Sequence, residues 1–172
     1  MAVQCYFLSP NKDAPNSRLP VLHYRDVLPE PRDEASVTDF LTRNRWEKRH
    51  RAHGDTLASA IFTRIATNAM GHSKMLLGKI STGQGMEVDV KTGDVIILPA
   101  GTAHSSLASS SDYRYIGVYP QDCPKWRNEM GKTPAGEFKT VIKSVEMPEE
   151  DPVYGRNGPL NQLWNEDILA KL

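Results

Sequence analysis

Apolar residues in this chain fall into short runs separated by glycine, proline and small polar residues, and the runs differ in period. Met86, Val88 and Val90 alternate with Glu87, Asp89 and Lys91, the period of two that a strand with one buried face requires. Val95, Ile96, Ile97 and Leu98 form an unbroken apolar run between Gly93 and the turn Pro99-Ala100-Gly101, which predicts a strand buried on both faces. Residues 113–119, "YRYIGVY", alternate aromatic and aliphatic positions with polar ones and predict another. Weaker patterns predict strands over residues 3–8, 21–24, 57–66, 74–80 and, in "FKTVIKSVEM", 138–147. Residues 105–112 read as a serine-rich loop and 120–136 as an irregular excursion.

Two segments carry the helical period instead. Ser36 can cap a helix with Asp39 three residues on, and Val37, Phe40 and Leu41 then share one face. Residues 162–172 place Leu163, Trp164, Ile168 and Leu169 on one side of a terminal helix. Many short strands on close turns, with a helix near each end, predict an all-β fold of the jelly-roll type.

Length and charge narrow the class. A chain of 172 residues suits one domain, residues 1–172, with a barrel core over about 57–146. The net charge is +0, so no overall field draws the chain to nucleic acid or to an anionic membrane. The basic run from Arg43 to Arg51 contains Trp46, but Glu47 interrupts it, and a solvated helix end and loop explains it best. The opening "MAVQCYFLSPNKD" has too short an apolar stretch for a secretory leader, so a cytoplasmic protein is expected. Cys5 and Cys123 are too few and too far apart for a disulfide framework and are expected to be free and inert.

The strongest chemical signal is the spacing Gly93, five residues, Pro99-x-Gly101, two residues, His104. Gly93 and Gly101 permit tight turns, Pro99 presets φ, and His104 falls at the start of the following strand, aimed inward. This string resembles the second motif of the cupin superfamily, although Ala108 stands where that pattern often has asparagine. "LPVLHYRD", "SSDYRYIGVYPQDCPKWRNEMGK" and "PVYGRNGPLNQLW" are similar to the small single-domain cupins of the YjlB-like group. The resemblance implies a double-stranded β-helix, a homodimer joined through its N-terminal strand, and a small-molecule site lined by His104. It further implies a cage of three histidines and one glutamate around iron, manganese, nickel or zinc, serving an oxygenase, isomerase or decarboxylase.

The first cupin motif, with its His-x-His, has no counterpart. No His-x-His occurs in the chain, and "IFTRIATNAMGHSKMLLGK" offers only His72, with no acid between Asp55 and Glu87. Either the metal cage is lost, or the sequence around Gly71 is a shortened product. His104 and His72 are therefore the candidate metal ligands, and His104, Tyr113 and Tyr115 the candidate ligand-binding residues. His23 reads as a packed or interfacial histidine, and the pair His50 and His53 as part of an exposed basic loop. Trp126 and Arg127 read as packing residues, with a rim position the alternative. Two functional readings stand: a metal-dependent small-molecule enzyme, or a metal-free binding or inactive relative.

Overall fold

The computed structural model describes residues 3–50, 58–60, 64–80, 84–123, 128–129 and 133–165. The elements run β1 (Gln4–Tyr6), β2 (Val21–Tyr24), α1 (Glu34–Thr42), β3 (Trp46–His50), β4 (Ala58–Ala60), β5 (Arg64–Met70), β6 (His72–Leu77), β7 (Met86–Lys91), β8 (Val95–Leu98), β9 (Thr102–Ser109), β10 (Arg114–Pro120), β11 (Asn128–Glu129), α2 (Lys139–Lys143) and α3 (Pro159–Leu163). They form two antiparallel sheets, one ordered β1-β2-β8-β5-β10-β3 and the other β11-β4-β9-β6-β7. Among the described residues strands predominate over helices, and the sheets are open rather than closed into a barrel.

The sheets pack face to face. Val21, Ile96 and Leu98 of the first meet Met75, Leu77, Val88 and Val90 of the second in one buried cluster. The back of the first sheet is covered as well. Leu22, Tyr24, Val95, Ile97, Ile116 and Val118 pack there with Val37 and Leu41 of α1 and with Val153, Leu160 and Trp164 of the C-terminal segment. β8 lies between the two clusters and sends alternate residues to each, so all four of its side chains are buried, as its continuous apolar run predicts.

The two sheets join at a corner where β5 passes into β6. Gly71 makes that corner with φ +72°, and a Cβ there would overlap the Ser110 hydroxyl and the Asp112 carboxylate. Only glycine meets both demands. The loop from β9 to β10 closes on the same corner through the Ser110 amide, which donates to the His72 carbonyl at 3.0 Å.

Several expectations are corrected. α1 begins at Glu34, with Asp33 as its N-cap accepting the Ser36 amide at 2.9 Å, because the aspartate provides the better-placed oxygen three residues before Ser36. Residues 46–50 of the basic run form an edge strand, β3, in which Lys48 pairs with Glu34 of α1 while Arg49 pairs with Glu47. The stretch 57–66 is two strands in different sheets, β4 and the start of β5, with residue 57 and residues 61–63 outside the described set. The predicted strand 138–147 is a 3-10 turn, Ala135–Phe138, followed by α2, because Phe138, Ile142 and Val145 follow the helical spacing and pack together. The terminal helix starts earlier, at Pro159, and Trp164 ends it, while residues 166–172 lie outside the described set.

Candidate functional site

His104 lies on β9, paired with Leu77 of β6 and in register with Ala58 of β4. Directly paired residues share a face, and Leu77 belongs to the cluster between the sheets, so His104 faces that interior. It is 6 % exposed. The local cause is the Pro99-Ala100-Gly101 turn, in which the Thr102 amide donates to the Pro99 carbonyl at 3.2 Å and β9 starts at once. His104 Nδ1 lies 3.3 Å from the Thr102 carbonyl. A carbonyl only accepts, so in the neutral ring Nδ1 carries the hydrogen and Nε2 the lone pair.

Across the interior, the first sheet presents Tyr115, Gly117 and Tyr119, the residues of β10 that alternate with Ile116 and Val118 of the back cluster. Val118 of β10 pairs with Ile65 of β5, and His104 of β9 with Leu77 of β6. Tyr119 is 3 % exposed and pairs with Glu47 of β3. The Arg49 guanidinium lies over the Tyr119 ring at 5.8 Å, is held by Glu47, and donates to the Cys123 carbonyl at 2.8 Å. His104 therefore lies on one inner face beside Leu77, and Tyr119 with the Glu47–Arg49 pair on the inner face of the other sheet.

The other sequence-derived candidates do not join them. His72 is exposed at the start of β6, on the face opposite to Ser73, Met75 and Leu77, and lies five residues from the level of His104, or about 16 Å along the strand. Tyr113 sits in the loop at the Gly71 corner and stacks on Tyr115, with ring centroids 6.0 Å apart. His23 is fully buried, as its sequence context suggests, and is bonded to Asp94. His53, Trp126 and Arg127 lie outside the described residues, and so does the His50 side chain. Cys5 and Cys123 are both free and half-buried, and burial pushes each thiol up from its ordinary range.

Among the described residues the donor set does not assemble the cage that the cupin resemblance implies. A transition-metal site of that kind needs about three protein ligands converging on one point. Among the described residues no group of three His, Cys, Asp or Glu does so, and His72 and His104 point to opposite sides of one sheet.

No protein-family model matches the chain. It is similar to the uncharacterized protein YjlB of Bacillus subtilis (strain 168), at 27 % identity over 94 % of this chain and 96 % of that protein. Among solved structures it is similar to RmlC from Streptococcus suis, described in complex with dTDP-D-xylose. There the TM-score is 0.36 at 12 % identity, over 91 % of this chain and 95 % of that one. No helix among the described residues is long and apolar enough to cross a membrane.

Three residues around this interior are not legible as site residues in the sequence. Glu47 and Arg49 read there as part of a solvated basic run. The signal is their alternation with Trp46 and Lys48, which assigns them to one face of a strand. Thr102 carries no signal, because only its packing sets it apart.

Proposed function

We propose that this chain is a cupin-type small-molecule-binding protein whose site is the sheet interior around His104, acting without a bound metal. The observation that carries the reading is the buried His104 ring, which faces the interior between the sheets and is held through Nδ1 at the Thr102 carbonyl. An apolar interior with a few polar groups suits a small organic ligand. The motif Gly93, Pro99, Gly101, His104, the two facing antiparallel sheets and the similarity to YjlB support the cupin assignment.

The test is equilibrium dialysis of a metabolite mixture against the wild type and His104→Ala, with elemental analysis of protein purified without chelators. Compounds retained by the wild type and released by the variant are the expected result. Equal retention by both proteins would overturn the reading, as would one transition metal per chain that disappears with His104.

The same reading carries a homodimer joined along β1. That strand ends the first sheet, and Phe7, next to it, is 59 % exposed. Light scattering behind size exclusion should give twice the 19.2 kDa chain mass, and a species of 19.2 kDa alone would dispose of the dimer.

A further inference from the structure

A cavity of about 260 Å³ lies between the end of the first sheet where β3 meets β10 and the chain that leads from α2 into the C-terminal segment. None of the residues around His104 lines it. Its floor is apolar. Trp46 and Pro148 are buried there, and Pro120, Cys123 and Val145 are half-buried. The Trp46 indole is fixed, because its N–H donates to the Glu150 carbonyl at 2.8 Å. Two bends shape the mouth. Arg45 and Asp122 take left-handed φ values of 61° and 62°, and the Gln121 amide joins the two bends by donating to the Arg45 carbonyl at 2.9 Å. Non-glycine residues hold such backbone only where their surroundings impose it, so the mouth is a preformed feature.

The rim carries one sign of charge in excess. Four carboxylates, Asp122, Glu146, Glu149 and Glu150, line the cavity with one guanidinium, Arg45. Glu149 is matched by Arg45, and Glu150 by Arg156. Among the described residues the exposed carboxylates of Asp122 and Glu146 are left without an ion pair. We propose that this cavity is a second small-molecule site, and that its ligand is a small aliphatic amine in its ammonium form. The alkyl part covers the floor formed by Trp46, Pro120 and Val145 and leaves water in doing so. The ammonium group, charged at neutral pH as that of lysine is, donates to Asp122 and Glu146 at the rim. Those carboxylates oppose an anion, and a neutral molecule would leave them unmatched. The cavity is smaller than the roughly 300–1,000 Å³ that drug-sized ligands occupy, which sets the ligand at a short chain. The inference does not rest on the interior site.

The experiment follows the indole N–H resonances of the full chain by nitrogen–proton correlation NMR, with the Trp46 signal assigned through Trp46→Phe. The probes are n-butylamine and 1,4-diaminobutane, with n-butanol and butyrate as neutral and anionic counterparts. Both amines should shift the Trp46 signal and leave that of Trp164, and the two counterparts should not. In Asp122→Asn with Glu146→Gln, affinity for the amines should fall roughly fivefold, as expected for two exposed ion pairs. Both side chains are exposed and asparagine tolerates the left-handed bend, so this variant keeps the fold. His104→Ala should bind the amines as the wild type does, which separates this site from the interior one. No shift in the wild type, or a shift of Trp164 alone, would overturn the site. Equal affinity in the double variant, or butanol or butyrate binding as tightly as the amines, would overturn the ligand class.

Discussion

Asp151→Ala should cost about 4 kcal/mol or more and lower the melting temperature by roughly 8–16 °C. The Asp151 side chain is fully buried where the C-terminal segment lies over the back of the first sheet. One carboxylate oxygen accepts the Val153 and Tyr154 amides at 2.8 and 3.0 Å, and the other accepts the Tyr24 hydroxyl at 2.6 Å and the Leu160 amide at 3.0 Å. Removing the carboxylate strands four donors at once, and each unmet buried donor costs about 1–3 kcal/mol. Two indoles close the same segment, Trp46 donating to the Glu150 carbonyl and Trp164 to the Pro20 carbonyl. Tryptophan fluorescence should therefore report the loss. Gly158 shows how tight the packing is, since a Cβ there would overlap the Asp151 side chain.

The same pairing gives an alkaline signature. Burial first, and then the Asp151 charge, pushes the Tyr24 phenol above its ordinary value. A group raised in the folded state contributes stability that is complete below its unfolded pKa, about 10, and lost as pH rises through the folded value. Urea midpoints of the wild type should fall above about pH 10, and those of Tyr24→Phe should fall less steeply. A loss below about 1 kcal/mol in Asp151→Ala would show that the segment is held by its apolar packing alone.

None of this is legible in the chain, and the reason is distance along it. Tyr24 and Asp151 stand 127 residues apart, and no local pattern marks either as a partner of the other. Local features read well. β8 is a closed apolar run between turn residues, so both its type and its double burial follow from composition and punctuation. The inward direction of His104 follows from the turn that precedes it. Where sequence and structure part, a partner elsewhere decides the matter. β3 has the pattern of a solvated run because Glu47, Lys48 and Arg49 are all charged. They are tolerated on an edge strand because Glu34 meets one from α1 and the other two pair with each other. α2 has the β-branched Thr140, Val141 and Ile142 of a strand, yet the packing of Phe138 with Ile142 and Val145 needs a helix. The interior divides in the same way. His104 is visible as a residue type in a motif, whereas Thr102 stands out only through a missing partner, which is a property of packing.

The second large effect belongs to Asp94, which should cost about 3–5 kcal/mol when replaced by alanine. It is 2 % exposed in the turn between β7 and β8 and gathers donors from three parts of the chain. One oxygen takes His23 Nε2 at 3.0 Å, Arg25 Nη1 at 3.2 Å and the Lys91 amide at 3.0 Å, and the other takes the Asp26 amide at 2.9 Å. His23 continues the network through Nδ1 to the Tyr6 hydroxyl at 3.1 Å, which ties the edge strand β1 to the core. Burial alone would push this carboxyl up. The bonds from His23 and from the Lys91 and Asp26 amides outweigh burial and hold it below its ordinary value.

The sign of the pH effect follows from that direction. A carboxyl depressed in the folded state contributes stability that is complete above its unfolded pKa, about 3.9, and lost as pH falls through the lower folded value. Asp94→Asn keeps the shape but cannot titrate, so it should be less stable at neutral pH and lose the difference below about pH 4. Urea unfolding of both proteins across the acid range measures this directly. Asp33 and Asp112 are also depressed, and both are present in both proteins, so their contribution cancels in the comparison. A constant gap at every pH would show that the difference comes from hydrogen bonds the amide cannot accept and not from the ionisation of Asp94. Hydrogen exchange then locates the damage. With Asp94 gone, His23 loses its acceptor and its hold on Tyr6, so the amides of β1 and β2 should exchange before those of β9 and β10.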